Sequence, residues 1–224
     1  SNNPTIRWGT CFGCKTWSRK RRIFAAAKSG DDLETPALHT VSWNLTERCN
    51  LRCEHCYLDA GGGHRPRDLD TAQCLRTVAE LGAVNPRMLL ILSGGEPLLR
   101  EDLCDIAQAA AKTGITVVVG TNATLLDRDG AQRLKDSGVS GVGVSLDSAP
   151  DAGFHDRLRR KSGAWQLALR GVRACQRVEL PFLVQTSVFR ENRDQIESLA
   201  RFSADLGARS WNVYFLVCTG RGQA

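Results

Sequence analysis

The sequence lacks the features that would place a protein in a membrane or outside the cell. Its 224 residues contain no run of about eighteen uncharged apolar residues, the length that a membrane-spanning helix requires. The chain does not open with a basic segment followed by an apolar stretch, so no secretory signal is visible. We therefore expect a cytoplasmic protein without membrane contact, in which the cysteines stay reduced.

Low-complexity tracts are also missing, and hydrophobic residues make up 42% of the chain, which is enough for one sizeable core. The length is too short for two ordinary enzyme domains. The chain begins with Ser1 rather than methionine, from which we expect a fragment or a processed chain. We divide it into an N-terminal extension, residues 1–38, and a globular core, residues 39–224.

Basic residues outnumber acidic residues by 30 to 24, which gives a net charge of +6. A local concentration of this charge lies in the extension, at residues 19–22. Such a cluster could contact nucleic acid, an acidic substrate or a partner protein. Because no nucleic-acid-binding motif accompanies it, we interpret the cluster as a solvated terminal segment and expect no nucleic-acid partner.

Three of the nine cysteines stand close together, in a C-x-x-x-C-x-x-C pattern at Cys49, Cys53 and Cys56. Three thiolates can hold three irons of a cubane [4Fe-4S] cluster, whereas an electron-transfer ferredoxin uses a fourth cysteine for its last iron. One iron would then be open to an external ligand. The alternatives are a structural zinc site, which takes four closed ligands, and buried thiols without metal. The asymmetric spacing favours the cluster.

Together with the residues around it, 44–57, the triplet resembles the radical S-adenosylmethionine (SAM) superfamily. In that family the open iron binds SAM through its methionyl amine and carboxylate. The resemblance therefore implies two cofactors, a [4Fe-4S] cluster on the three cysteines and SAM. It also implies that Tyr57, directly after the last cysteine, shields the cluster and packs near the adenine.

A second segment, Ser93-Gly-Gly-Glu-Pro97, resembles the Gly-Gly-Glu-Pro motif with which the family receives the SAM amino group. Glycine backbone can approach a ligand closely, proline stiffens the exit from the turn, and a glutamate can accept hydrogen bonds from an ammonium group. Without the triplet upstream, the segment would fit a tight turn before a helix equally well. The SAM-binding residues expected here are Gly94, Gly95, Glu96 and Pro97.

Further polar residues follow strand-like segments in the order that the family shows. The resemblance places Ser145 and Asp147 beside the SAM ribose, and Asn122 in the same cleft. The alternative is strand-end capping and turn formation, which Ser, Asp and Asn perform in any protein. Residues 155–159 resemble another family segment, through which Arg159 would face SAM. The family continues with glycine where this chain has Arg160.

Strand-like segments alternate with helical patterns from residue 39 onward. Strands are predicted at 39–45, 88–93, 115–119, 141–146, 182–189 and 210–217. Helices are predicted at 70–82, 101–113, 127–137, 162–178 and 191–206, with a capping box at Asp70 and Gln73 and helix ends at Gly82, Gly114, Gly138 and Gly207. Cys74, Cys104 and Cys175 lie in helical apolar patterns and are expected in the core.

The alternation of strands and helices predicts an α/β fold with a parallel sheet and right-handed crossovers. Periodicity alone fits a flavodoxin-like or Rossmann sheet as well. The resemblance narrows the fold to a partial TIM-like (β/α)6 barrel with an open parallel sheet. The motif residues would then lie at the carboxyl ends of the strands, where such barrels build their active sites.

The two ends of the chain carry weaker signals. Cys11 and Cys14 form a C-x-x-C before the first strand, which could hold metal, form a redox pair or join ligands from elsewhere. Because no second C-x-x-C follows, the pair is at most half a metal site, and we expect it to be dispensable for the core chemistry. Residues 214–222 resemble the end of the sixth strand in radical SAM proteins that mature cofactors and peptides. Those proteins usually continue into a cysteine-rich, SPASM-type extension with auxiliary clusters, which we expect this fragment to lack.

The resemblance implies an enzyme that cleaves SAM reductively to methionine and a 5'-deoxyadenosyl radical, which abstracts hydrogen from a substrate. It implies a tetrapyrrole of haem synthesis, or a peptide in cofactor or natural-product maturation, as that substrate. An electron donor such as ferredoxin or flavodoxin is expected as a partner. The alternative function is an iron-sulfur electron carrier or redox sensor that does not use SAM.

Overall fold

The structure is a computed structural model that describes residues 38–61 and 68–223. Cys11, Cys14 and the basic cluster at residues 19–22 lie outside the described residues, so the predictions about them, and the boundary at residue 38, stay predictions. Within the described ranges, no helix combines the length and the apolar character needed to cross a membrane.

Six strands form one parallel sheet in which the strand order follows the chain, β1-β2-β3-β4-β5-β6. The strands are β1 Thr40–Asn44, β2 Leu89–Ser93, β3 Thr116–Thr121, β4 Val139–Ser145, β5 Phe182–Val188 and β6 Trp211–Phe215. All six predicted strands are confirmed. A Rossmann or flavodoxin-like sheet reverses its strand order at a switch point, and this sheet does not. The open, partial (β/α)6 barrel is thereby confirmed.

Six α-helices are described between the strands. They are α1 Thr71–Val84, α2 Leu103–Lys112, α3 Arg128–Asp136, α4 Ala152–Arg159, α5 Ala164–Arg177 and α6 Ile196–Asp205. Five of them occupy predicted segments. Helix α4, between β4 and α5, was not predicted, and it carries Arg159 as its last residue. The predicted capping box is confirmed, because the backbone N–H of Gln73 donates to Asp70 and that of Asp70 donates to the Gln73 side chain.

The predicted helix ends are confirmed at Gly114, Gly138 and Gly207, which take φ values of 96°, 85° and 78° after α2, α3 and α6. The prediction for Gly82 is wrong, because α1 continues through it to Val84. A Cβ on Gly82 would lie 2.7 Å from the Thr113 side chain. A residue without a side chain is thus required there so that α1 can pack closely against the end of α2.

The two faces of the sheet have different roles. Because successive residues of a strand point to opposite faces, Leu90 and Leu92 of β2 are fully buried in the core, whereas Ile91 and Ser93 line a cavity on the other face. Cys74 and Cys175 are fully buried in the core and Cys104 packs against it, as predicted. The helices and the core thus support a sheet whose opposite face carries the cavity.

Candidate functional site

A cavity of about 590 Å³ lies where the carboxyl ends of the strands meet the loop after β1. We call residues 45–61, which carry the cysteine triplet, the cysteine loop. Eight of the predicted site residues line the cavity: Cys49, Cys53, Cys56, Tyr57, Gly94, Gly95, Asn122 and Ser145. Three others, Glu96, Pro97 and Asp147, are buried and do not line it. The structure therefore brings together residues from the ends of β1, β2, β3 and β4.

The three thiols surround the cavity in unequal environments. Cys53 is buried, whereas Cys49 and Cys56 are partly exposed. Burial raises the pKa of the Cys49 thiol to about 11, although the backbone N–H of Leu51 lies 3.4 Å from its Sγ and favours the thiolate. Among the described residues, no three cysteine, histidine or acidic side chains are grouped so that they could hold a metal ion.

The three cysteines nevertheless suit a [4Fe-4S] cluster with one open iron better than a metal site in which protein ligands fill every position. Each cysteine that binds a cubane cluster ligates a different iron, so three thiols around one cavity supply ligands for three of the four irons. Of the described cysteines, only those of the triplet line this cavity. The rest of the wall combines apolar side chains with backbone and polar side-chain groups at the strand ends, and these polar groups could receive a ligand on the fourth iron.

Close backbone contacts require glycine at both positions after β2, a reason for the glycines that the motif alone did not indicate. Gly94 has a φ of 136°, and a Cβ on it would lie 2.5 Å from the carbonyl oxygen of Thr46. The backbone N–H of Gly95 donates to that same oxygen at 2.7 Å, and the N–H of Glu96 donates to the carbonyl of Arg48 at 2.8 Å. Both glycines therefore let the cysteine loop lie directly on the end of β2, whatever ligand they also approach.

Glu96 is fully buried, and its carboxylate is occupied by groups of the protein. It accepts hydrogen bonds from Thr121 Oγ1 at 2.6 Å, from the backbone N–H of Asn122 at 2.9 Å and from that of Leu98 at 3.1 Å. Burial raises the pKa of Glu96 above its ordinary range, and the three donors oppose this. The carboxylate thus fixes the end of β3 against the end of β2.

Asn122 lies directly after β3 and links that strand end to the cysteine loop. Its Nδ2 donates to Asn50 Oδ1 at 2.9 Å, and Asn50 Nδ2 in turn donates to Thr124 Oγ1 at 2.8 Å. The Asn122 side-chain oxygen accepts from the backbone N–H of Thr124, as in an Asx turn. Asn122 therefore both forms the turn after β3 and lines the cavity, so the two alternatives for this residue are not exclusive.

Asp147 and Arg159 form a buried ion pair behind the cavity wall. Arg159 donates to Asp147 Oδ2 from Nε at 2.8 Å and from Nη2 at 2.7 Å. Burial alone would raise the pKa of Asp147, but the Arg159 guanidinium and the hydrogen bond with His155 together outweigh it and hold that pKa below its ordinary range. The other terminal nitrogen of Arg159 lies 3.8 Å from Cys53 Sγ, and Arg159 also lines the cavity. A fixed positive charge thus faces one thiol of the triplet.

The left-handed turn after α4 explains the glycine that the family has where this chain has Arg160. Arg160 takes φ 53° and ψ 40°, a conformation that glycine adopts without strain and that other residues rarely adopt. Its exposed side chain contacts Glu54 at 3.3 Å. The departure from the family pattern therefore leaves the backbone path of a glycine in place.

Several residues that line the cavity were not predicted, and two of them, His55 and Arg221, are polar side chains next to the triplet. His55, between the last two cysteines, lines the cavity, and its Nδ1 is buried without a partner among the described residues. Burial, with help from the Arg159 charge, lowers the pKa of His55 to about 4, so the ring is neutral at pH 7. Arg221, after β6, also lines the cavity and contacts the cysteine loop. Only the position of His55 inside the triplet could have indicated it.

The sequence pattern of the Radical SAM superfamily matches residues 43–203, which include the triplet, the glycine segment, Asn122, Ser145 and Arg159. This chain belongs to the radical SAM superfamily. The family uses a [4Fe-4S] cluster and SAM, so membership favours a SAM-dependent enzyme over the alternative of an electron carrier or sensor.

Two curated relatives illustrate the range of the family. The AdoMet-dependent heme synthase of Methanosarcina barkeri is 36% identical over 188 residues, which are 84% of this chain and 53% of that protein. The PqqA peptide cyclase of Bradyrhizobium diazoefficiens is 27% identical over 168 residues, 75% of this chain and 44% of that protein. The chain thus spans about half the length of these relatives.

A solved structure supports the fold. Streptococcus suis SuiB bound to S-adenosylmethionine superposes with a TM-score of 0.68 at 18% identity, over 81% of this chain and 41% of that chain. This chain therefore shares its fold with a protein of low sequence identity.

Proposed function

We propose that the chain is the catalytic core of a radical SAM enzyme in which Cys49, Cys53 and Cys56 hold the [4Fe-4S] cluster. The observation that carries the proposal is that all three thiols line one cavity with the glycine segment and the ends of β3 and β4. When bound, the cluster supplies the electron that cleaves SAM to methionine and a 5'-deoxyadenosyl radical. The chain itself binds, orients and shields the reactants.

The residues proposed to bind SAM are those that reach the cavity. Gly94 and Gly95 present backbone there, and Asn122 and Ser145 present polar side chains at the ends of β3 and β4. Glu96 and Asp147 support them from behind the wall, because their carboxylates bind Asn122 and Arg159 respectively. We therefore assign Glu96 and Asp147 as positioning residues.

Iron and sulfide analysis after anaerobic reconstitution tests the cluster assignment. Wild-type protein should bind about four irons and four sulfides, and Cys53→Ala should lose the complete cluster because one iron loses its ligand. Cys104→Ala is the matched control, since that cysteine packs against the core away from the cavity. A full [4Fe-4S] spectrum in the triple variant of Cys49, Cys53 and Cys56 would exclude the assignment.

We propose a tetrapyrrole as the substrate, with a maturing peptide as the second candidate. The heme synthase relative has the higher identity of the two relatives described. The cavity mouth is also apolar and exposed: Tyr57, Phe215 and Val217 line it and are 58%, 75% and 69% exposed. Apolar surface of this kind suits a flat macrocycle, which buries both faces on binding.

Absorbance titration with an iron coproporphyrin tests the substrate class. Binding should shift the Soret band of the porphyrin. Phe215→Ala should weaken porphyrin binding, because the most exposed aromatic ring of the mouth is lost. Phe202→Ala, on α6 away from the cavity, is the matched control. Unchanged porphyrin affinity in Phe215→Ala would argue against the mouth as its site.

We also propose that a low-potential donor such as ferredoxin or flavodoxin supplies the electron, since SAM cleavage consumes one electron per turnover. SAM cleavage driven by reduced ferredoxin or by reduced flavodoxin, in place of a chemical reductant, tests this partner. An absence of SAM cleavage with both proteins would exclude both as donors.

A further inference from the structure

The segment after β6 returns to the cysteine loop and binds it through Arg221. The backbone N–H of Arg221 donates to the carbonyl of Cys56 at 3.0 Å. Its Nε donates to the carbonyl of Cys53 at 2.8 Å, and its Nη1 donates to Asp59 Oδ1 at 2.6 Å and to the carbonyl of Ala60 at 2.8 Å. One residue thus holds four points of the loop, two of them on cysteines of the triplet.

The residue before it shows how closely the two segments pass. Gly220 has a φ of 54°, and a Cβ built on it would overlap the carbonyl oxygen of Cys56 and lie 2.5 Å from that of Tyr57. The obstructing atoms are backbone, which cannot move aside as a flexible side chain would. Only glycine fits at this position without displacing the cysteine loop.

These contacts connect opposite edges of the sheet. The cysteine loop follows β1 and Arg221 follows β6, and these are the two edge strands of the open barrel. Arg221 and Cys53 are 168 positions apart in the chain. A guanidinium with several fixed partners is a rigid connector, because its planar donors bind in directions that a single ammonium group cannot reproduce.

We propose that Gly220 and Arg221 form a clamp that positions Cys53 and Cys56 and so sets the environment of the cluster. The inference rests on the proposed cluster on these cysteines and adds a residue pair from the far end of the chain. Holding the two carbonyls fixes the peptide planes next to the thiols. The guanidinium of Arg221, which is paired with Asp59, also contacts the backbone of Cys53, a cysteine that is anionic when it binds iron. Groups outside the first ligand sphere that orient ligands in this way tune metal sites.

Hydrogen exchange measured by mass spectrometry tests the clamp on the full chain, before and after loading with iron and sulfide. The probes are the amides of Glu54, Cys56, Asp59 and Gly61, which are hydrogen-bonded within the cysteine loop or to α4. Arg221→Ala should make them exchange roughly tenfold faster or more, a ratio equivalent to about 1.4 kcal/mol. Gly220→Ala should make the same amides exchange faster, because the added methyl group displaces the cysteine loop. Arg209→Ala changes an exposed arginine two residues before β6, and this control should leave the exchange unchanged.

The loaded protein supplies a second readout, the reduction potential and the electron paramagnetic resonance spectrum of the reduced cluster. Both should change in Arg221→Ala, and Arg221→Lys should restore the charge without restoring the exchange protection. Unchanged exchange in Arg221→Ala and Gly220→Ala would overturn the clamp. Faster exchange with an unaltered potential and spectrum would overturn its role at the cluster. Failure of the wild type to bind iron would instead refute the proposed function, and the exchange of the unloaded chain would still test the clamp.

Discussion

Replacing Asp147 by Asn should destabilise the fold strongly, because it removes the carboxylate with which the buried Arg159 is paired. The two side chains are 0% and 9% exposed, and Arg159 donates twice to one carboxylate oxygen. The asparagine side chain would keep the shape but lose the charge, so a buried guanidinium would remain uncompensated. Removing one partner of a buried ion pair costs about 3 to 5 kcal/mol. We expect a loss of this size in the free energy of unfolding of Asp147→Asn.

Urea denaturation under reducing, anaerobic conditions measures this loss. Glu197→Gln is the matched control, because Glu197 pairs with Arg201 on the surface of α6 and both side chains are 76% exposed. An exposed pair contributes about 0 to 1 kcal/mol, so the control should remain near wild type. Arg159→Met together with Asp147→Asn should cost less than the sum of the single changes, since neither charge is then left alone.

The same pair predicts a pH dependence with a definite sign. The pKa of Asp147 lies below its ordinary value in the folded protein, so its contribution is complete above the unfolded pKa of about 4 and is lost as the pH falls through the folded pKa. The difference in stability between wild type and Asp147→Asn should be constant from neutral pH down to about pH 5 and shrink below about pH 4. A difference near zero at pH 7 would refute the reasoning.

Three further predictions concern Glu96, the left-handed turn at Arg160 and the N-terminal cysteine pair. Glu96→Ala leaves the backbone N–H groups of Leu98 and Asn122 unpaired, so it should cost about 1 to 3 kcal/mol and weaken SAM binding measured by calorimetry, with iron content retained; unchanged SAM affinity would remove Glu96 from the site. Arg160→Gly removes the cost of a non-glycine residue in the left-handed conformation, so it should raise the free energy of unfolding by about 1 kcal/mol and raise the melting temperature with it. Glu54→Ala removes only the exposed ion pair with Arg160 and should not raise the melting temperature. Changing Cys11 and Cys14 together to Ala should leave 5'-deoxyadenosine formation intact; its loss with a complete cluster would show that the pair takes part in the core chemistry.

The fold and the motif positions could be predicted because they depend on local patterns. Short apolar runs, such as residues 89–92, specify strands, and Asp70 with Gln73 specifies a helix start within four residues. The side on which the motif residues meet follows from the parallel sheet, since all strand ends lie at one edge. Gly82 shows the limit, because a glycine near a helix end can be needed for packing rather than for termination.

The roles within the site depend on contacts between residues far apart in the chain, which no local pattern encodes. Arg221 binds the cysteine loop across 168 positions, and Arg159 lies 3.8 Å from Cys53 Sγ although 106 positions separate them. The Gly-Gly-Glu-Pro motif predicted a direct contact between Glu96 and SAM, whereas the structure surrounds that carboxylate with protein donors. The motifs therefore indicated where the site lies. Only the tertiary structure distinguishes the residues that line the cavity from those, such as Glu96, that are buried behind them.

Formation of 5'-deoxyadenosine from SAM by the reduced, anaerobically loaded protein tests the central claim most directly. The wild type and Cys104→Ala should form it after reduction, and Cys53→Ala should not, because the cleavage needs the cluster on the triplet. Equal product in Cys53→Ala, or none from wild-type protein that carries a complete [4Fe-4S] cluster, would contradict the assignment of this chain as a radical SAM catalytic core.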